Sequence, residues 1–464
     1  MKPTLTVVIL AAGLGTRMKS KRAKVLHEAG GDTLLNHVIR AAMNVAPPER
    51  IVAVVGHQAE EVRRSVNNPG IRFVEQTEQK GTGHAMLCAR ELAASANNHL
   101  LILNGDGPLL TAGTLKRLLE LADSPGLGGA LVTTEVADPA GYGRIIRDDR
   151  GTIAAIMEQK AATPEQLRIR EINTGVYCFD ARLFWEHIGQ VTPDNPAREY
   201  YLTDMVEILR RNGHPVAPLL VADESELLGI NTRVELAAAD RILRQRKAND
   251  LMLSGVTIES PETVTIDADV EIGQDSVVEA NVQLRGRTRI GANCRVGTGS
   301  VLRNCVIGDG VTILPYVVAE ASSVGPQATV GPFARLRMNA AAAEQSHIGN
   351  FVELKKTKLG AGAKANHLAY LGDASIGAGV NIGAGTITCN YDGRHKHETR
   401  IGERVFVGSN STLVAPVEIS DGAYIAAGSV ITKDVEPDAL AIGRAYQVDK
   451  PGWAKRRRDS QETK

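Results

Sequence analysis

Residues 266–302 read IDADVEIGQDSVVEANVQLRGRTRIGANCRVGTGSVL. Counting by sixes from Ile266 lands on Ile272, Val278, Leu284, Ile290, Val296 and Leu302, a branched aliphatic each time. The register slips by one residue to Ile307 and resumes at Ile313. A second run repeats the lattice through Ile401, Val407, Leu413, Ile419, Ile425 and Ile431. A period of six fits neither an amphipathic helix, at about 3.6, nor a strand, at about two. It fits a parallel β-helix whose coils are triangles of short strands, with one aliphatic pointing inward from each face. Each coil then buries its aliphatics against the next. Glycine often follows the aliphatic, as at Gly273, Gly291 and Gly408, and is expected to supply backbone freedom at the corners. The competing fold is a β-sandwich of alternating strands. Thirteen aliphatics on two strict lattices argue against it.

Length and composition bound the rest. A chain of 464 residues should hold two or three domains. Its 53 Lys and Arg balance 53 Asp and Glu, so no global field favours nucleic acid or an anionic membrane. The five cysteines (Cys88, Cys178, Cys294, Cys305, Cys389) contain no CxxC pair and leave one over. That predicts reduced thiols in a cytoplasmic protein, not a disulfide framework or a zinc site. The apolar run 5–12 is short and leads into a basic, Gly-rich stretch without a small-residue cleavage motif. It reads as a buried strand, not a signal peptide. No apolar stretch is long enough to span a bilayer.

The N-terminal half alternates short apolar runs with helical patterns. Strands are expected at 5–12, 50–56, 100–103, 130–134 and 175–179, and helices at 34–45 and 114–121. This alternation predicts a doubly wound α/β domain, in which ligands bind beyond the carboxyl ends of the strands. The first such position is LAAGLGTRM, residues 10–18, with Lys24 beyond. Gly13 and Gly15 would let the backbone approach a ligand, and free N–H groups there can cradle phosphate. Arg17 and Lys24 would add charge to a polyphosphate. The stretch is neither a Walker loop nor a GxGxxG turn, since Met18 stands where the third glycine would be. The second position is Asn104-Gly105-Asp106. A carboxylate at a strand end suits Mg2+, but Asp106 could equally cap a helix beginning near Thr111.

These motifs occur in a fixed order: LAAGLGTRM with Lys24, GTGHA (81–85), Gly105-Asp106 with Pro108, GYGRI (141–145), EINTG (171–175) and GINTR (229–233). The order resembles the sugar nucleotidyltransferases. With the β-helix behind it, the chain resembles the bacterial bifunctional N-acetylglucosamine-1-phosphate uridyltransferase/glucosamine-1-phosphate acetyltransferases over nearly its full length. The fold so implied is α/β: an N-terminal Rossmann-like nucleotidyltransferase domain followed by a C-terminal left-handed parallel β-helix of hexapeptide repeats. The domains are expected at 1–232 and 253–446, with a linker helix at 233–252 and a tail at 447–464.

The resemblance also implies roles. Leu10, Ala11, Ala12 and Gly13, with Arg17 and Lys24, would hold the UTP phosphates. Gln76, Gly81 and Thr82 would read the uracil, with Asn104 also in the nucleotide site. Asp106 and Asn231 would hold Mg2+. Gly143, Glu158 and Asn173 would grip N-acetylglucosamine. The family has Pro before the lysine and Val after the metal Asp, where this chain has Ala23 and Gly107. Both departures are expected to loosen their loops.

A helical pattern at 233–251 places Leu236, Ala239 and Leu243 on one face and reads as the linker. By sequence alone Asn231 reads more simply as that helix's cap. Within the β-helix the hexad rhythm weakens between Arg335 and Tyr370, where Arg337, His347, Lys355, Lys356 and His367 gather. Cations one coil apart on one flank make a plausible phosphate site. The resemblance favours His367, in ANHLAYLGDA, as general base; imidazole chemistry near neutrality suits that task. It assigns Arg337, Lys355, Tyr370 and Asn381 to glucosamine-1-phosphate. It assigns Ala384, Asn390, Tyr391, Ser409, Ala427 and Arg444 to acetyl-CoA. Met338-Asn339 stand where the family has Pro-Gly, leaving that turn open. Sites in such acyltransferases lie between neighbouring prisms, so a homotrimer is implied. The basic run 455–458 reads as a solvated, disordered end rather than a nucleic-acid site. The rivals are a single-activity pyrophosphorylase whose β-helix regulates or oligomerises, and a non-catalytic scaffold. His367 with the loop 381–393 argues against the first. Lys24, Asp106 and Asn231 together argue against the second.

Overall fold

The β-branched, uncharged run LTVVILA forms the strand Leu5–Ala11 in a nine-stranded sheet. The computed structural model describes residues 5–94 and 99–462, and the chain divides into two compact units between Arg244 and Gln245. Across the first unit's sheet the order is Val216–Leu220, Gly129–Glu135, Glu171–Asp180, His99–Asn104, Leu5–Ala11, Ile51–Val55, Arg72–Glu75. Both sheet faces are covered. Val7, Ile9 and Ala11 pack with Leu35, Val38, Leu115 and Leu118 from the helices Leu34–Met43 and Ala112–Ala122. Val8 and Ala12 pack with Ala85, Met86, Met205 and Leu209 from Thr82–Ala93 and Asp204–Arg211. The sheet is mixed, however: Glu171–Asp180 runs antiparallel to both its neighbours. The chain between it and Gly129–Glu135 forms a hairpin, Arg144–Arg147 with Ile153–Met157, and no crossover helix. Without a crossover the strand returns antiparallel.

The helix Arg233–Leu253 ends two residues past the helical pattern at 233–251 and one past the linker expected at 233–252. Ala239 is buried with Ala29, Leu34, Leu109 and Ile230 in the first unit. Ala248 and Leu251 belong to the core of the second.

That second unit is a parallel β-helix with three faces of 11, 10 and 9 strands. The first face runs from Thr257–Ile258 to Leu440–Ala441, the second from Thr265–Ile266 to Val430–Ile431, the third from Glu271–Ile272 to Val417–Ile419. Every lattice aliphatic except the half-buried Ile272 lies in one continuous core. The slip at Leu302 is a corner one residue shorter, turned by Asn304 in the left-handed region at φ +52°. The weak rhythm between 335 and 370 does not mark a break. Ala340, Ala342, Ala363, Ala365 and Ala369 take inward positions there and the coils continue.

The glycines after the aliphatics serve a purpose other than the one expected. Left-handed corners are held mostly by other residues, such as Asp275, Asn293 and Tyr316. The glycine is needed because coils stack closely: a Cβ on Gly408 would lie 2.5 Å from Ala427 N. Gly408→Ala should therefore cost about 1–3 kcal/mol through overpacking, read as a lower denaturation midpoint of the full chain. The basic end is not disordered either. Trp453–Glu462 is helical, with the side chains of 453–461 exposed.

All five cysteines are free. Among the described residues no helix is long and apolar enough to cross a membrane.

Candidate functional site

Leu5–Ala11 and His99–Asn104 are parallel neighbours with Leu10 opposite Asn104. The loops that follow them therefore leave the sheet side by side. Gly105 N–H donates to Leu10 O at 2.9 Å and ties them together. A cavity of about 380 Å³ opens there, lined by Leu10, Ala11, Ala12, Gly13, Lys24, Gln76, Gly81 and Thr82. A second lobe of about 210 Å³ carries Arg17, Gly143, Glu158, Asn173 and Asn231. Leu10, Thr82, Asn104 and Asp106 line both, so the two lobes form one cleft joined at Asp106. The residues singled out in the first unit thus come together, although they span more than 200 positions of sequence.

In the first lobe the buried Gln76 donates from Nε2 to Gly81 O at 3.0 Å. Thr82 Oγ1 accepts the Leu202 N–H at 3.0 Å, which anchors the start of Thr82–Ala93. Of the two turn glycines, Gly13 borders open space. Gly15, at φ +61°, has its missing Cβ 2.5 Å from Lys24 Cβ. Only glycine there lets the Lys24 stem pass under the turn. Ala23 N–H donates to Gln58 Oε1 at 2.6 Å, a tie a proline could not make.

Lys24 Nζ bonds the Asp106 carboxylate and, at 3.0 Å, Asn231 Oδ1. Neither Asp106 nor Asn231 is a helix cap. Thr111 Oγ1 caps Ala112–Ala122 by accepting the Thr114 N–H at 3.3 Å. At Arg233–Leu253, Thr232 Oγ1 accepts the Glu235 N–H at 3.2 Å, and Glu235 Oε2 accepts the Thr232 N–H at 2.8 Å. This reciprocal pair is a capping box. It frees the Asn231 side chain, whose Nδ2 donates to Gly229 O at 3.0 Å and turns Oδ1 toward Lys24.

In the second lobe burial pushes the Glu158 carboxyl up, while a bond from the Thr203 hydroxyl, at 3.3 Å, acts against it. Asn173 Nδ2 donates to the Tyr177 hydroxyl at 2.7 Å. Tyr142 lines the lobe, and its phenol is pushed up first by burial and then by the Glu235 and Asp106 charges. Sequence reading missed Tyr142 and Thr203 as lining groups. Tyr142 lies inside the quoted GYGRI; nothing local marks Thr203.

In the β-helix the singled-out residues border the second face. At its corner with the first face His367 stands exposed, its Nδ1 2.9 Å from Asn350 Oδ1. Along the same corner follow Ala384, Ser409 and Ala427, tied coil to coil by Asn410 N–H to Ala384 O and Gly428 N–H to Ser409 O. Arg444 Nη1 then donates to Ala427 O at 2.7 Å. At the opposite corner the buried Lys355 bonds Asp373, which also accepts from Asn390. Burial pushes the Asp373 carboxyl up, but these bonds outweigh it and hold it below the usual range. Arg337, paired in register with Lys355, donates to Glu353 at 2.6 Å. Tyr370 lies between the corners, following Glu353 in register. His347 and Asn381 sit on the first face, one coil to either side of Lys364.

Two findings exceed the sequence reading. The loop after Asn390 folds back through a Tyr391–Lys396 bridge, and the Lys355 ammonium beside Lys396 pulls its pKa down. Lys396, a third cation beside Arg337 and Lys355, was missed because only the fold brings it back. Further, the residues assigned to acetyl-CoA split: Ala384, Ser409, Ala427 and Arg444 share one corner, Asn390 and Tyr391 the other.

The MobA-like NTP transferase domain model matches residues 7–242. The bacterial transferase hexapeptide (six repeats) matches 269–304, and the hexapeptide repeat of succinyl-transferase 398–433. The chain is 58% identical to the bifunctional protein GlmU of Solibacter usitatus, covering 99% of this chain and 98% of that one. It is 50% identical to that of Koribacter versatilis (99% and 98%) and 45% to that of Streptococcus agalactiae serotype V (97% and 97%).

Proposed function

The chain belongs to the family of bifunctional GlmU proteins, and from that premise we propose how its residues divide two reactions. The enzyme is an acetyltransferase and a uridylyltransferase. Acetyl transfer from acetyl-CoA to glucosamine-1-phosphate belongs to the β-helix. Uridylyl transfer from UTP to N-acetylglucosamine-1-phosphate, releasing pyrophosphate, belongs to the first unit. The observation that carries this reading is the two-lobed cleft, with a phosphate-sized turn in one lobe, a polar sugar-sized lobe beside it and Asp106 at the join.

In that cleft the sugar phosphate oxygen attacks the α-phosphorus of UTP and the bond to pyrophosphate breaks. Main-chain groups at 10–13 with Arg17 and Lys24 bind the triphosphate. Gln76, Gly81 and Thr82 select uracil beside Asn104, and Gly143, Glu158 and Asn173 hold the sugar. No covalent intermediate is needed; positioning and charge neutralisation carry the rate. Asp106 and Asn231 fit a Mg2+ ion, since their hard oxygens already converge on one cationic group, the Lys24 ammonium. When bound, such an ion neutralises charge on the phosphates.

In the β-helix, the Asn350 amide oxygen accepts from His367 Nδ1–H, which leaves Nε2 free as the base. Nε2 takes a proton from the glucosamine nitrogen as that nitrogen attacks the thioester carbonyl. The C–S bond breaks and coenzyme A leaves as the thiol, taking the proton. Arg337, Lys355 and Lys396 face the sugar phosphate, Tyr370 and Asn381 the sugar. Ala384, Ser409, Ala427 and Arg444 line the coenzyme. Asn390 and Tyr391 reach it from a neighbouring copy, because within one chain they stand at the other corner. Stacked rings of Tyr316, Phe333 and Phe351, centroids 5.2 and 5.4 Å apart and about half exposed, climb the His367 corner. Exposed stacked aromatics on that edge support packing of prisms in a homotrimer.

The test is release of coenzyme A thiol from acetyl-CoA, with glucosamine-1-phosphate present and then absent. Sugar-dependent release is expected. No release from the folded protein would reduce the β-helix to an oligomerising element and leave a pyrophosphorylase alone.

A further inference from the structure

We propose that the Lys24 ammonium is the resident counter-ion of the Asp106–Asn231 pair in the free enzyme, and that its transfer to the nucleotide phosphates is what opens the pair to a divalent cation. This deepens the uridylyltransferase reading and rests on it. One ammonium reaches both oxygens that the metal would use, Asp106 and Asn231 Oδ1, the latter at 3.0 Å. The contact is largely buried, with the Lys24 and Asp106 side chains 14% and 17% exposed. A carboxylate withdrawn from water to that extent needs a partner. An ammonium and a hard divalent cation compete for the same oxygens.

The surroundings hold Lys24 in this position. Gly15 makes room for its stem. Ala23 N–H, tied to Gln58 at 2.6 Å, fixes the start of its turn. Asn231 is fixed by Gly229 O on one side and the Thr232–Glu235 capping box on the other. Lys24 also lines the first lobe beside the turn 10–13. A triphosphate entering there offers the ammonium a second anionic partner without a change of backbone position. Nucleotide and metal binding are then coupled through one side chain. Such coupling is reciprocal: the metal must also favour the nucleotide.

The experiment titrates Mn2+, by electron paramagnetic resonance of the free ion, into the full-length protein and its Lys24→Met, Lys24→Gln and Asp106→Asn variants. It is repeated with the non-reacting analogue α,β-methylene UTP. Without nucleotide, both Lys24 variants should bind Mn2+ about tenfold more tightly than the natural protein, within the usual range of coupling between sites. The analogue should tighten Mn2+ binding markedly in the natural protein and less in the variants. Equal or weaker Mn2+ binding by both Lys24 variants would overturn the competition while leaving the metal pair intact. Undiminished binding by Asp106→Asn would instead overturn the metal assignment itself, and the inference with it.

Discussion

With His367 replaced by alanine, sugar-dependent release of coenzyme A thiol should fall by about 10²–10⁴-fold, the usual contribution of a positioned general base. Pyrophosphate release from UTP and N-acetylglucosamine-1-phosphate should be unchanged. The asymmetry follows from placement. His367 lies in the second unit on an exposed corner, where its side chain meets Asn350 Oδ1 among the described residues, and Asn350 is itself only partly buried, so removing the imidazole strands no buried group. The aliphatic core that holds the coils, from Ile348 to Leu371, does not include it. A small effect on stability and a large one on acetyl transfer is the signature expected of a group that acts on the reacting atoms. Loss of both activities from a folded protein would contradict separate sites. Full retention of acetyl transfer would remove His367 from the chemistry.

Replacing Asp106 by alanine should remove Mg2+-dependent pyrophosphate release and spare acetyl transfer. Asp106 lines both lobes of the cleft, so its carboxylate borders the lobe proposed for the nucleotide and the lobe proposed for the sugar. Loss of several kcal/mol of charge stabilisation corresponds to about a thousandfold or more in rate. The variant also strands the Lys24 ammonium, which keeps only Asn231 Oδ1 as a described partner. Some loss of stability is therefore expected as well. Thermal unfolding measured beside the rate separates the two effects. Unchanged pyrophosphate release at saturating Mg2+ would sink the assignment of Asp106.

The period of six was legible because every coil must turn an apolar side chain inward, and that demand is local. It repeats wherever the chain repeats, so Ile266 to Leu302 and Ile401 to Ile431 announce the prism without any knowledge of contacts. The strand-then-glycine pattern at 5–15 was legible for the same reason: a buried strand and the turn that ends it are neighbours in sequence. The Gly408 class shows where a local reading stops. Its glycines were visible, but the reason for them, the backbone of the next coil 2.5 Å from the absent Cβ, lies a full coil away.

Tertiary structure alone decided what stands next to what. The sequence contains Lys24, Asp106 and Asn231, but nothing in it says that one ammonium bridges positions 82 and 207 residues away. Nor does it say that Ala23 finds Gln58 in place of a proline's rigidity, or that Lys396 returns to Lys355. The antiparallel course of Glu171–Asp180 and the division of Ala384 and Asn390 between two corners belong to the same class. The physical reason is common to all of these. Periodicity and turn chemistry are fixed by a residue's near neighbours along the chain, whereas hydrogen bonds, ion pairs and close backbone approaches depend on groups that only the folded path brings together.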